Sequence, residues 1–523
     1  MEFHRALGIV LCCAVLLGCA RTQSVKPADA NLVLGKQLYT ANCAACHGDA
    51  GDGKGVAAYL LFPRPRNFQR SEFKLRSTPE GVLPTDEDLM KTVSQGIPGT
   101  AMFAFSEALS EGERRAVVSF VKSLAPRFKD APPITPAQLL KISPPPEPSP
   151  ELIAEGKATY EKFGCSKCHG HEGRGDGPAA PTLTDTSGDP FPAAAFSSGI
   201  YKSGGQPADL YRALLTGMTG TPMPSFQQAF TNDRQAWGLV YYTLSFTPDG
   251  KAKPIAGDNR PLEAVPIGDV AALTDADSTT WDKITPIDVY LRPLWYRNNY
   301  PIFVKVRAAT AGDRIGILAE WDDPTNDSSV DNEQSFADGA AMQFALGGKM
   351  PFIAMGDRNS EGLCEIWHWR ADRQVAAGRG EAATRADAYP HMLSDPYPNL
   401  PEYNTAREAG NVLMDPKTAN NAAHSLNASG LGTLTARPGA QNRVASRGRW
   451  KDGVYRVAFS SVLKPLDTRR EADFTKAKIP VAFAIWDGHN GDRNGTKLVS
   501  QWLFLSTVAA VTDRRYSFGD RNE

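Results

Sequence analysis

The chain has 523 residues, 41% hydrophobic and 22% charged, a globular composition that excludes an intrinsically disordered protein. At about 150 residues per domain, that length predicts three or four domains. Its 57 Lys and Arg against 58 Asp and Glu leave a net charge of -1, which excludes the cation surplus of a non-specific nucleic-acid binder.

In chain order, residues 1–20 read as a secretory signal. Arg5 supplies the positive end, and Ala6 to Gly18 is an apolar run shorter than the roughly 20 residues that span a bilayer. Leu16-Leu17-Gly18-Cys19 resembles a bacterial lipobox, in which Cys19 becomes an acylated anchor; cleavage after Ala20 is the alternative. Either route predicts a periplasmic or otherwise extracytoplasmic protein, touching a membrane only through that lipid. Three of the eight cysteines lie here, four form two Cys-x-x-Cys-His motifs and Cys364 stands alone, so no disulfide framework is predicted.

The first half contains a repeat. Gly35-Lys36-Gln37-Leu38-Tyr39 recurs as Gly156-Lys157-Ala158-Thr159-Tyr160, and Cys43-Ala44-Ala45-Cys46-His47-Gly48 as Cys165-Ser166-Lys167-Cys168-His169-Gly170. Gly96-Ile97-Pro98-Gly99-Thr100-Ala101-Met102 matches Gly217-Met218-Thr219-Gly220-Thr221-Pro222-Met223. Residues 32–125 and 151–247 are therefore two copies of one domain, joined by a stiff Pro-rich linker at 126–150. Each copy reads as mostly helical. Helices are predicted over 32–42, 85–95 and from Ser110 to Leu124, where Ser110 and Glu113 form a capping box, and in the second copy over 151–163, 207–216 and 232–245.

Cys-x-x-Cys-His is the attachment motif of c-type haem. Two thiols one turn apart add to the two vinyl groups, and the adjacent His reaches the iron. A ligand for the opposite face is offered by Met102, 55 residues after His47, and by Met223, 54 residues after His169. A thioether there favours ferrous iron. Zinc binding or thiol exchange is the competing use of such a cysteine pair. The pattern resembles the class I cytochrome c family in both copies. That resemblance implies two covalent haem c groups, held by Cys43 and Cys46 and by Cys165 and Cys168, with His47 and Met102 on one iron and His169 and Met223 on the other. Arg64 and Arg66 are candidate partners of the haem propionates, against the alternative of solvated arginines, and His171 reads as a surface residue.

The remainder changes character. After a second linker at 248–268, strand-like runs appear at Pro286–Leu291, Ile302–Ala308, Arg314–Trp321, Ala340–Leu346, Ile366–Arg370, Val454–Ser460, Val481–Trp486 and Ser500–Leu505. Residues 269–520 are predicted to form an all-β antiparallel sandwich, with 372–447 a long loop insertion. Trp367 and Trp369 share one face and read as core, and Cys364 as a buried small residue. Glu320-Trp321-Asp322-Asp323, Asp338-Gly339-Ala340-Ala341-Met342-Gln343-Phe344, Ile366-Trp367-His368-Trp369 and Ala482-Phe483-Ala484-Ile485-Trp486-Asp487-Gly488 resemble the γ subunit of ethylbenzene dehydrogenase. Similar subunits serve dimethyl sulfide dehydrogenase, chlorate and selenate reductases and some nitrite oxidoreductases. The resemblance implies one non-covalent haem b ligated by Met and Lys, which match Met355 (Met350 second) and Lys497 in this chain; His368 and His489 are other possible ligands.

Taken together, these readings predict two all-α cytochrome c domains followed by the sandwich. They predict an exported multihaem electron-transfer protein without a catalytic site of its own. It would relay electrons between the iron-sulfur and molybdopterin subunits of an oxidoreductase complex and a soluble cytochrome or terminal oxidase. The alternatives are a di-haem enzyme, such as a peroxidase or small-oxyanion reductase, and a scaffold whose sandwich has lost its haem.

Overall fold

The computed structural model describes residues 27–507 apart from 107, 248, 254–260, 298, 330–333, 347–354, 356–362, 380–421 and 438–440. The signal segment 1–20 and Met350 lie outside the described residues. No helix among the described residues is long and apolar enough to cross a membrane.

The repeat is visible element by element. In the first copy α1 (Pro27–Asn42) leads into the short α2 (Ala44–His47), and α3 (Asp86–Gln95) and α4 (Glu111–Leu124) follow. The second copy runs α5 (Pro150–Lys162), α6 (Ser166–His169), α7 (Pro207–Thr216) and α8 (Asp233–Leu244). Ser110 and Glu113 cap α4 reciprocally as predicted, and Thr85 and Asp88 form a second capping box on α3. α1 crosses α4 so closely that a Cβ on Gly35 would lie 2.1 Å from the Ala116 carbonyl oxygen. Gly156 stands in the same relation to Gly238 across α5 and α8, at 1.9 Å. The shared Gly-Lys-x-x-Tyr thus marks a helix crossing that only glycine permits. Four residues further on, Tyr39 and Tyr160 are buried, and their hydroxyls donate to the Gly48 and Gly170 carbonyls at 2.7 Å.

The Pro-rich stretch is laid against both copies. Leu140 N–H donates to the Ser77 carbonyl, while Leu140 and Ile142 pack on the core of the second copy. Trp237 Nε1 donates to Ser143 Oγ at 3.0 Å and the Tyr241 hydroxyl to the Pro146 carbonyl at 2.6 Å.

Past residue 260 the chain is β-rich. Its strands are β1 (Leu262–Pro266), β2 (Ile287–Tyr290), β3 (Arg292–Pro293), β4 (Phe303–Ala311), β5 (Arg314–Asp322), β6 (Gly339–Ala345) and β7 (Cys364–Arg370). After α9 (Ala371–Arg379) come β8 (Ala423–Ala428), β9 (Thr435–Ala436), β10 (Ala445–Lys451), β11 (Val454–Val462), β12 (Ile479–Trp486), β13 (Leu498–Val499) and β14 (Leu503–Ser506). The main path runs β10-β11-β5-β4-β1-β14-β12-β6-β7-β8-β9. Val304, Ile315 and Phe459 from one half meet Met342, Trp367 and Phe483 from the other in a single core.

Three expectations are corrected. β1 lies inside the stretch read as a linker and joins the two halves, pairing in parallel with both β4 and β14, so the pairing is not wholly antiparallel. The stretch read as an insertion supplies α9, β8, β9 and the start of β10, with 380–421 outside the described residues. β8 escaped notice because its inward side chains are Ala423, Ser425 and Asn427. Their burial is satisfied by hydrogen bonds, such as Ser425 Oγ to Glu365 at 2.7 Å and Asn427 Nδ2 to the Arg470 carbonyl at 2.8 Å.

Candidate haem centres

Each helical copy folds around a cleft. Cys43, Cys46, His47 and Met102 line the first; Cys165, Cys168, His169 and Met223 line the second. The spacing that linked these residues in the sequence thus corresponds to the lining of one cavity. No disulfide joins either cysteine pair. Burial pushes the Cys43 and Cys46 thiols up to about 12 and Cys165 to about 11.

The histidines are oriented from behind. His47 Nδ1 lies 2.9 Å from the Arg66 carbonyl, and His169 Nδ1 lies 2.9 Å from the Ala194 carbonyl. A carbonyl only accepts, so Nδ1 carries the hydrogen and Nε2 keeps its lone pair. Burial lowers His47 to about 4 and lowers His169 as well, which keeps both rings neutral. Phe68 stacks on His47 at 4.6 Å and Phe196 on His169 at 4.2 Å. In the methionine loop lining the same cleft, the Met102 carbonyl accepts from Ile97 N–H at 3.0 Å and Met102 N–H donates to Thr100 Oγ1 at 3.2 Å. Met218, Met223 and Thr221 repeat this loop with the same distances. A neutral imidazole, a fixed thioether loop and two thiols around an apolar cavity fit an iron porphyrin.

The arginines separate. Arg64 donates to the Ala58 and Leu61 carbonyls at 2.7 and 3.2 Å and lies over Trp295. Arg66 lies 3.6 Å from Glu72 and retains a buried Nε and Nη2 without hydrogen-bond partners, a donor set open to a carboxylate. His171 is exposed and bonds Glu161, as expected of a surface residue.

In the third domain, alternation along the strands places Trp367 and Trp369 in the core and presents a second face of Ala341, Ile366, His368, Leu426, Ala484 and Trp486. Met355 packs on this face, in a left-handed conformation at φ 63°, with its carbonyl accepting from Gly430 N–H at 2.6 Å. Lys497 reaches the same place, its Nζ 4.8 Å from the Trp486 ring centre. Burial pulls its ammonium down to about 8, with Asp492 opposing, so the neutral amine is accessible at mild pH. Small alanines, an indole, a thioether and a depressed amine fit a flat macrocycle lying on the sheet. His368 lies 5.0 Å from Trp486, and its ring is held neutral by burial and by Arg373. His489 is exposed. Sequence reasoning missed His424, directly opposite His368 on β8, buried and with no partner for Nε2. The His424, Leu426, Ala428 alternation was the available signal.

The three sites are packed together. Arg292, 3% exposed, donates through Nη1 to the Ile97 and Met102 carbonyls at 3.2 and 3.0 Å. Leu294 N–H bonds the Lys497 carbonyl at 3.1 Å, and Phe62 N–H bonds the Leu294 carbonyl at 2.9 Å. The Tyr296 hydroxyl donates to Ala193 of the second copy at 2.9 Å, next to the residue that holds His169. Residues 292–296 therefore touch all three sites.

Clefts walled by a Cys-x-x-Cys-His motif and a methionine loop are those of covalent haem proteins, a class that carries electrons. Comparison with known proteins narrows this. Residues 32–125 match the family Cytochrome c, 151–242 match Cytochrome C oxidase, cbb3-type, subunit III, and 278–498 match Ethylbenzene dehydrogenase. The dimethylsulfide dehydrogenase subunit gamma of Rhodovulum sulfidophilum is 26% identical over 51% of this chain and 93% of its own length. The chlorate reductase subunit gamma of Ideonella dechloratans is 28% identical over 38% of this chain and 62% of its own. A chain of the Kuenenia stuttgartiensis reducing HAO-like protein complex is 40% identical over 41% of this chain and 96% of its own, with a TM-score of 0.39. The chain thus joins two cytochrome c domains to a domain of the ethylbenzene dehydrogenase family. Haem c belongs to the first two, and the third points to haem b.

Proposed function

We propose that this chain is an exported three-haem electron relay, with haem c in the clefts of 32–125 and 151–247 and haem b in the β domain that begins with β1. His47 with Met102, His169 with Met223, and Met355 with Lys497 would hold the irons, and Cys43, Cys46, Cys165 and Cys168 would form the covalent links. Each haem, when bound, supplies a one-electron ferric/ferrous couple. The protein's residues hold the imidazoles neutral, fix the thioether loops and keep water from the iron. On this reading the β domain, loaded with haem b, would exchange electrons with the iron-sulfur and molybdopterin subunits of an oxidoreductase complex. The haem c domains exchange them with a soluble cytochrome or terminal oxidase in the periplasm, where Cys19 lipidation tethers the chain.

The observation that carries the reading is the segment 292–296, which hydrogen-bonds beside Lys497, beside Met102 and beside the partner of His169. Separate binding modules need no such shared strut; a relay needs its cofactors held at fixed separations. A methionine lining each c-type cleft would, as a ligand, leave no open position on the iron for exogenous ligands, which speaks against the di-haem enzyme. The test is a pyridine haemochrome assay on the mature protein followed by gentle purification from native membranes. Two haem c and one haem b per chain, with molybdopterin and iron-sulfur subunits co-purifying, are expected. A product without covalent haem overturns the reading, and rapid CO binding at a c haem returns it to an enzyme.

A further inference from the structure

Between the two haem c clefts sits a group of cations that ligation leaves unused. Lys74 lines the first cleft, whereas Lys202, from the second copy, lines both. Their ammonium groups flank one aromatic ring, Lys74 Nζ at 4.7 Å and Lys202 Nζ at 4.8 Å from the Phe191 centre. Lys202 also lies 5.3 Å from the Tyr296 ring. Among the described residues neither ammonium makes an ion pair or a hydrogen bond, and Asp185 acts on Lys74 only from beyond ion-pair distance. Burial pulls Lys202 down to about 8 and lowers Lys74 well below the usual lysine range, with Arg66 and Lys202 adding repulsion. Arg66 brings a third cation with a buried Nε and Nη2 that have no partner.

Of these cations only Arg66 has a carboxylate at ion-pair distance among the described residues, Glu72 at 3.6 Å; desolvated ammonium groups beside it without one are costly, and the cost falls when negative charge is brought to them. Each porphyrin carries two carboxylates, and Lys202 is open to both clefts.

We propose that Lys202 is a clamp shared by the two haems, its ammonium taking one propionate from each, with Lys74 and Arg66 completing the pocket for the first. This rests on haem c occupying both clefts. Two consequences follow from electrostatics. The second copy is drawn against the first once both groups are in place, and the charge state of one haem is felt at the other through a common cation.

The test uses full-length holoprotein, with c-haem content measured in every sample. In Lys202→Met the propionates lose their counter-charge, which favours ferric iron. Both c-haem midpoint potentials are expected to fall, and the propionate-bending bands of both haems in resonance Raman spectra to shift. Lys202→Arg restores both, and Lys74→Met moves the first haem alone. A shift confined to one haem, or none with both haems attached, overturns the clamp. Missing covalent haem in the wild-type protein defeats the underlying reading instead. Should Lys202→Met not accumulate, a holoprotein structure decides: Lys202 Nζ hydrogen-bonded to a propionate of each haem supports the clamp, and any other placement overturns it.

Discussion

Met102 and Met223 occupy loops that two hydrogen bonds hold in the same form. Alanine at either position is expected to leave the covalent haem count unchanged. It should abolish the near-infrared charge-transfer band of one thioether-ligated ferric haem and lower that haem's potential, as a spectroelectrochemical titration reads. Lys497→Ala is expected to change the low-temperature EPR spectrum of the b haem, and an unchanged spectrum removes Lys497 as a ligand. Tyr39 and Tyr160 test the frame. Phenylalanine there removes the hydroxyl's bond and leaves the Gly48 or Gly170 carbonyl with its Gly51 or Gly173 N–H donor alone, so each variant is expected to lose about 0.5–1.5 kcal/mol in denaturant melts.

Helix crossings and strand ends carry the next set of constraints. Gly35→Ala and Gly156→Ala drive a methyl into a backbone carbonyl that no side-chain rotation can move aside. Separation of α1 from α4, or of α5 from α8, is expected to cost about 1–3 kcal/mol or more and to reduce haem attachment in the affected copy only, seen in haem-stained peptide maps. In the β domain, Asp323 follows β5, Asp338 precedes β6 and Asp487 follows β12. Their carboxylate oxygens lie within 4.8 Å of one another. Burial, then Asp487, lifts Asp323 to about 6; burial, then Asp323, lifts Asp338 to about 7 despite the Gly488 N–H bond. Folded values above the unfolded ones mean that the folded state holds protons more tightly. Stability is therefore full below about pH 4 for these groups and falls as pH rises through 6 to 7. Melts of the Asp338→Asn variant in EDTA should lose much of that slope; an unchanged profile refutes the assignment.

At the scale of the molecule, Arg292 joins the β domain to the Met102 loop, and Arg76 joins the first copy to the second by donating to the Thr216 carbonyl at 2.6 Å. Arg292→Leu removes two charge-assisted bonds across the junction, at about 1.5–3 kcal/mol, while the Met102 carbonyl keeps its Ile97 N–H donor and the Ile97 carbonyl its Thr100 donors. It is expected to broaden the signals of the first haem while sparing the second. Unaltered spectra of the first haem would show that the junction does not position it. Neither arginine belongs to a recognisable motif. Each acts through backbone carbonyls of a distant segment, a partner that leaves no trace in residue identity.

Covalent chemistry and periodicity were open to reading from the chain alone. Cys-x-x-Cys-His and the recurrent glycine-bounded methionine depend on local spacing, because attachment and ligation demand particular atoms at particular separations. The apolar alternation of β4, β5, β11 and β12 likewise follows from strand geometry. What only the tertiary structure decided is what rests on hydrogen bonds and contacts between segments distant in the chain. β8 was hidden because buried serine and asparagine look like loop. β1 was hidden because one short strand serves two neighbours, and the Lys74, Lys202 and Phe191 group because its members come from opposite copies. Those features depend on which backbone atoms meet across the folded chain, and a linear pattern carries no record of that meeting.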